Sequence, residues 1–252
     1  MIHGSMRKGN TYKLTQEVIS RLKLHDVEIT EINVSELDLP FCMSCHVCFV
    51  RGELKCPHYK TMKSVTEKIE SCNALILSGV VYSLHLNASM KNLVDHLSYY
   101  FHRPRLFDKK GLVITTTAGA GEKTVAKYLK STMSQWGISN VQTLSYKIQT
   151  RPFSLTEKQK KIVDRVSENF YNIILHDKTK EPSMNVFITH NTFRAMSAVD
   201  TPFVQYDKSY WKETGLVSKV YPRKVNIFKA AFGVMVFTIK KKVMNKNYTT
   251  KK

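Results

Sequence analysis

The chain has 252 residues, 42% of them hydrophobic, which allows one α/β domain plus an extension, since single domains commonly run to roughly 100–200 residues. Lys and Arg number 39 against 20 Asp and Glu, a formal charge of +19. Of this, +10 lies between Lys212 and Lys252 and +9 on everything before. The bias favours anionic partners: nucleic acid, an acidic leaflet or a phosphorylated cofactor. The first residues lack the apolar length of a secretory signal, and no run reaches the roughly 18 apolar residues of a spanning helix, so a cytoplasmic protein is expected. Four of the five cysteines crowd between Cys42 and Cys56, a pattern suited to metal or redox chemistry in a reducing compartment rather than to a secreted disulfide framework.

Taken in chain order, Met1–His3 predicts a strand only about 10 Å long at ~3.3 Å per residue, so brief that a clipped or misplaced start is suggested. Thr11–Leu24 reads as an amphipathic helix and Val27–Val34 as a strand. Thr61–Ser71 (helix), Ala74–Ser78 (strand), Ala88–Phe101 (helix) and Gly111–Thr117 (strand) continue the alternation. Thr124–Trp136 (helix), Val141–Lys147 (strand) and Thr156–Leu175 (helix) complete it. Several strands are short apolar runs, as strands covered on both faces should be. The expected fold is α/β, a doubly wound five-stranded parallel sheet with helices on both faces. After Pro182 the alternation stops and basic and aromatic residues take over around Tyr206, Tyr210, Trp211, Tyr221 and Phe228. A boundary is therefore placed near residue 180, with a first domain over 1–180 and a basic, aromatic-rich helical extension over 181–252.

Gly4-Ser5-Met6-Arg7-Lys8-Gly9-Asn10-Thr11 joins the first strand to the first helix, where backbone amides converge on a phosphate. Gly4 and Gly9 permit the turn, Ser5, Asn10 and Thr11 offer side-chain donors, and Arg7 offers charge. An ordinary turn capped by Asn10 is the alternative. Asn10 stands where a nucleoside-triphosphate loop needs lysine, which argues against an NTPase. Ala118-Gly119-Ala120-Gly121-Glu122-Lys123-Thr124 is a second candidate loop, but Glu122 would repel an anion, so it reads as a cofactor-edge loop. These loops and the one after the third strand should meet at the carboxyl edge of the sheet, where open α/β folds bind ligands.

These residues resemble the NADPH-dependent FMN reductase family of flavodoxin-like proteins. The opening loop is similar to the family's Gly-Ser-Pro-Arg start, with Met6 in the proline's place. Val80-Val81-Tyr82, followed by Lys91 and Asp95, resembles its Pro-Val-Tyr signature, with Val80 replacing the proline. The resemblance covers roughly residues 1–150. It implies that Ser5, Arg7, Gly9, Asn10 and Thr11 hold the phosphate of FMN, that Val80, Val81, Tyr82, Ser83 and Leu84 border the flavin ring, and that Thr117, Ala118 and Gly119 line its other edge. It also implies a homodimer. Because the flavin carries the chemistry, no catalytic acid or base is obligatory.

Cys42-x2-Cys45-x2-Cys48-x7-Cys56, with Pro57 following, offers the four thiols of a [4Fe–4S] centre and resembles the compact motif of the iron–sulfur flavoproteins. Zinc on Cys42, Cys45, Cys56 and His58 is stereochemically reasonable, and free or redox thiols are the third reading. Cys72 is expected in the core. His85 and His96 are weighed as proton donors against ordinary surface histidines. Ile227–Ile239, followed by Lys240-Lys241-Lys242, can pack on its own domain or a partner, or lie as a peripheral contact on an anionic membrane. The function expected is an FMN-dependent oxidoreductase passing electrons from NAD(P)H to a small acceptor: a quinone, a nitro or azo compound, a flavin or a metal ion. An iron–sulfur electron carrier between proteins is the alternative, and no nucleic-acid partner is expected despite the charge, since no recognition motif accompanies it.

Overall fold

The computed structural model describes residues 1–149 and 152–249; the last three residues of the expected extension lie outside them. The chain runs β1 (Ile2–His3), α1 (Asn10–Leu22), β2 (Ile32–Asn33), α2 (Val47–Val50), α3 (Tyr59–Ser71), β3 (Ala74–Tyr82), β4 (His85–Leu86), α4 (Ala88–His96) and α5 (Tyr99–His102). It continues through β5 (Lys110–Thr117), α6 (Glu122–Gln135), β6 (Asn140–Lys147) and α7 (Glu157–Leu175), then α8 (Met184–Ser197), α9 (Gln205–Glu213) and α10 (Ile227–Thr249). Five strands pair in parallel in the order β2-β1-β3-β5-β6, and β4 folds back antiparallel on β3. This is the strand order of flavodoxin-like folds, in which the crevice at the reversal of strand order binds the ligand.

Side chains on the central strands alternate between two cores, as the period of two requires. Leu75, Leu77 and Val113 face the layer of α3, α4 and α6, where they meet Val65, Leu93 and Leu129. Ile76, Leu112, Ile114 and Leu144 face α1 and α7, meeting Leu14, Val18 and Phe170. Both faces of the sheet are therefore covered.

Three expected elements change. The strand expected over Ala74–Ser78 runs on to Tyr82, because Val81 and Tyr82 find ladder partners in Leu86 and His85 of β4, so Val80, Val81 and Tyr82 belong to the strand rather than to the loop after it. The strand expected over Val27–Val34 shrinks to Ile32–Asn33, because its partner β1 offers only two residues, with Ile2 opposite Ile32 and His3 opposite Asn33. A strand extends only as far as a ladder partner satisfies its backbone. The helix expected over Ala88–Phe101 ends at His96 and restarts at Tyr99, since Leu97 leaves helical geometry (φ −94°, ψ 15°) while fully burying its side chain.

The residues after Pro182 form helices that dock on the layer of α5 and α6. Gly233 in α10 lies so close to α8 that a Cβ would sit 2.6 Å from the Phe187 ring. The Trp211 indole N–H in α9 donates to the His102 carbonyl at 2.8 Å. His190 is buried among Phe107, Trp211 and Tyr221, and burial pushes its pKa down to about 3. Beneath α9, the fully buried Arg103 guanidinium pairs with the buried Asp207 carboxylate and also donates to Glu53 Oε2 at 2.6 Å and to the Cys48 carbonyl at 3.0 Å. Removing one partner of such a pair leaves a charge without full compensation, so Asp207→Ala is expected to destabilise the fold by about 3–5 kcal/mol, read as a lowered urea midpoint, while Asp207→Asn loses less because it keeps the shape and one acceptor.

Candidate functional site

The loop between β1 and α1 leaves the sheet at Gly4, whose amide donates to the Ser78 carbonyl on β3 at 2.8 Å. The fit is close: a Cβ on Gly4 would stand 2.9 Å from Met90 Cβ. Ser5 is buried and its hydroxyl donates to the Arg7 carbonyl, closing a tight turn. Met6, Arg7 and Lys8 are exposed. Gly9 is the N-cap of α1, and no side chain caps that helix start, so no side-chain acceptor competes for its first amides, as an anion site requires.

The Thr11 hydroxyl is buried and 2.6 Å from that of Thr116 on β5, while Asn10 Nδ2 donates to the Ile148 carbonyl at 3.2 Å. Both side chains thus lock the loop to the sheet edge. Val81 points into the core, whereas Tyr82, Ser83 and Leu84 are exposed, the last two in left-handed geometry (φ 46° and 65°). Strained residues of this kind cluster at ligand sites. Thr117 stabilises the neighbouring loop by accepting from the Gly119 amide at 3.2 Å, Gly119 has open space around its Cα, and Gly121 (φ +101°) approaches the Leu84 carbonyl so closely that a Cβ would lie 2.7 Å from it. The three loops expected from sequence therefore meet at one edge.

The second candidate lies at the other end of α4. Asn87, the N-cap of this helix, donates to the Gly4 carbonyl at 2.6 Å. Asn92, in the middle, accepts from the Cys42 amide at 3.0 Å and donates to the carbonyls of Leu39 and Pro40. His96, the last residue, contacts the Pro40 carbonyl through Nε2 at 2.9 Å. Cys42, Cys45, Cys48 and Cys56 all line one cavity of about 460 Å³. Left-handed Ser44 (φ 51°) and His46 (φ 58°) interrupt the run and fold the first three thiols onto that cavity. Burial pushes the Cys48 thiol up to about 12 and also raises Cys56. Four thiols around one space are the donor set a metal–sulfur group requires.

The zinc set expected on Cys42, Cys45, Cys56 and His58 is not the one that assembles: the donor atoms that approach one another are those of Cys56, His58 and His96. His96 is buried rather than a surface histidine, whereas His85 is exposed. Cys72 is half-buried at the end of α3, its thiol donating to the Ile69 carbonyl at 3.3 Å, rather than fully in the core. Sequence reasoning missed Asn87, Asn92, Arg103 and Asp207. Of these only Asn87 carries a local signal, an Asn-Ala-Ser start to a helix.

An open parallel sheet in the order β2-β1-β3-β5-β6, with three loops meeting at one edge, defines a flavodoxin-like α/β protein. The chain belongs to the NADPH-dependent FMN reductase family, whose model matches residues 1–151. It is 33% identical over 139 residues to an iron–sulfur flavoprotein of Archaeoglobus fulgidus, a match covering 54% of this chain and 62% of that protein. It is 25% identical over 229 residues to an iron–sulfur flavoprotein of Clostridioides difficile, covering 86% and 98%. Among solved structures, an FMN-dependent NADH-azoreductase from Bacillus anthracis in complex with FMN shares the fold at a TM-score of 0.51 and 15% identity, covering 67% of this chain and 96% of that one.

The thiolate is the reactive form of cysteine, and at pH 8 a thiol titrating near 12 is about one part in ten thousand ionised. In the reduced, metal-free protein at that pH, iodoacetamide is therefore expected to modify the exposed Cys45 first and Cys48 last, with peptide mass mapping over time as the check.

Proposed function

We propose that the protein is an FMN-dependent oxidoreductase that takes electrons from NAD(P)H and delivers them to a small acceptor such as a quinone, a nitro or azo compound, a flavin or a metal ion. The observation that carries this reading is the convergence of three loops at the carboxyl edge, with the start of α1 free of any side-chain cap. FMN, when bound, supplies hydride acceptance and onward electron release. The chain supplies the rest. The first amides of α1, with Ser5, Gly9, Asn10 and Thr11, shape the phosphate cradle, and Arg7 and Lys8 neutralise its charge. Val80 and Val81 anchor the turn that carries Tyr82, Ser83 and Leu84, which shield one side of the ring plane, and the Thr117–Gly119 segment leaves space at the other. The position of the site at an exposed edge admits both donor and acceptor.

A second reading, an iron–sulfur electron carrier between protein partners, is favoured by the four-cysteine cavity. Cys42, Cys45, Cys48 and Cys56 would hold a [4Fe–4S] cluster there, which supplies one-electron exchange. Helix α4 joins the two candidate sites over about 14 Å at ~1.5 Å per residue. Anaerobically purified protein given FMN is expected to show flavin absorption that NADPH bleaches, and Gly4→Ala to weaken FMN about tenfold, ~1.4 kcal/mol. A spectrum still flat after FMN is supplied rejects the oxidoreductase reading. A brown shoulder with bound iron, lost in Cys42→Ser/Cys45→Ser, supports the carrier; full NADPH turnover by iron-free protein rejects it.

A homodimer is the assembly proposed from the family, and a cytoplasmic setting is proposed with it. Among the described residues no helix is long and apolar enough to cross a membrane. Helix α10 packs on α8 through Gly233 and Val236 yet exposes Ile227, Phe228, Val234, Met235 and Ile239 ahead of Lys240-Lys241-Lys242. That combination of apolar face and cations supports peripheral contact with anionic lipid. Co-sedimentation with phosphatidylserine vesicles at low salt is expected and should fall when the three lysines become glutamate; wild-type protein that stays in the supernatant rejects the contact.

A further inference from the structure

We propose that Cys56, His58 and His96 form a binding site for a single divalent transition-metal ion of the zinc type, separate from the four-thiol set and sharing only Cys56 with it. One donor atom from each of the three residues lies within 4.8 Å of the other two. A tetrahedral ion with bonds of about 2.0–2.3 Å holds its ligands roughly 3.3–3.8 Å apart, so closure needs the donor atoms to draw together by about an ångström.

His96 is built for the role. Its Nε2 faces the Pro40 carbonyl at 2.9 Å, and a carbonyl can only accept, so Nε2 carries the proton and Nδ1 presents its lone pair. That Nδ1 is buried and has no hydrogen-bond partner among the described residues, and the residue as a whole is 7% exposed. A buried acceptor without a donor is costly, and a metal ion would satisfy it. A backbone carbonyl on the far nitrogen is also the outer contact that fixes the tautomer and aim of metal-binding histidines.

The three residues stand on the ends of ordered elements. Cys56 closes the short 3-10 turn Glu53–Lys55, its amide donating to the Glu53 carbonyl at 3.0 Å. His58 is the N-cap residue of α3, and its carbonyl accepts from Met62 at 3.1 Å. His96 ends α4, with its ring centroid 5.1 Å from that of His58. Cys56 and His96 both line the cavity of about 460 Å³, which leaves room for water as a fourth ligand. Two imidazoles and one thiolate suit borderline ions such as Zn²⁺ or Co²⁺, whereas a cluster asks for thiolates. Binding displaces the Cys56 thiol proton to solvent. Because Cys56 is shared, occupation of this site and assembly of a four-thiolate cluster exclude each other. The site stands without the cluster reading, since His58 and His96 take no part in that reading.

The test is a Co²⁺ titration of the full-length, reduced, metal-free protein under argon, followed by Zn²⁺ displacement, reading the tetrahedral d–d and thiolate-to-cobalt bands. The wild type is expected to bind one equivalent, and Cys42→Ser/Cys45→Ser to do the same. His58→Ala and His96→Ala should weaken binding at least about 100-fold. His58 is half-buried, so its variant keeps the test valid if the buried His96 change fails to fold. Unchanged affinity in His58→Ala, or affinity lost in Cys42→Ser/Cys45→Ser, overturns the proposal. Iron and sulfide reconstitution of the histidine variants, which keep all four cysteines, judges the cluster reading separately.

Discussion

Arg103 sits wholly out of solvent where three parts of the chain meet. It follows α5, it holds the Cys48 carbonyl and Glu53 of the cysteine loop, and it pairs with Asp207 of α9. Tyr99 and Tyr206 cover its guanidinium at 5.2 and 4.9 Å. Burying such a charge is unfavourable unless it is paired, and although Nε has no hydrogen-bond partner among the described residues, both terminal nitrogens are engaged, so the cysteine loop and the C-terminal helices are tied to one another by a common cation. Gly52 fits the same constraint. It lies in left-handed geometry, and a Cβ there would stand 2.7 Å from the Tyr206 ring. The extension is thus structurally coupled to the cysteine loop, which has little regular structure of its own.

Helix α4 is the corresponding link on the other side. Its cap touches the β1–α1 loop at Gly4, its middle holds Cys42, and its last residue brings His96 into the cysteine cavity. Three polar side chains on one short helix therefore position both candidate sites. Changes in the packing of Met90 or Leu93, which are buried on the same helix, would be felt at both.

Much of the sheet was legible because hydrophobic periodicity is local information. The apolar runs at Gly111–Thr117 and Val141–Lys147 correspond closely to β5 and β6. Where an element depended on its neighbour, the reading slipped: β2 is short because β1 is short, and α4 stops because Leu97 turns inward. The β1–α1 loop was legible from its glycines and from its place after a strand, and the four cysteines from their spacing. His96 was not. It is 40 residues from Cys56, and nothing in its own segment marks it as different from an ordinary histidine at a helix end.

The sequence by itself determined the alternation of strands and helices, the glycine-bearing β1–α1 loop, the crowding of four thiols and the basic character of the tail, because each is carried by residue types at short spacing. Only the tertiary structure decided that Asn87 ties the β1–α1 loop to α4, that Arg103 joins the cysteine loop to the extension, and that donor atoms of His58 and His96 converge with that of Cys56. The reason is that these arrangements rest on contacts between residues far apart in the chain, made where burial requires each polar group to find a partner.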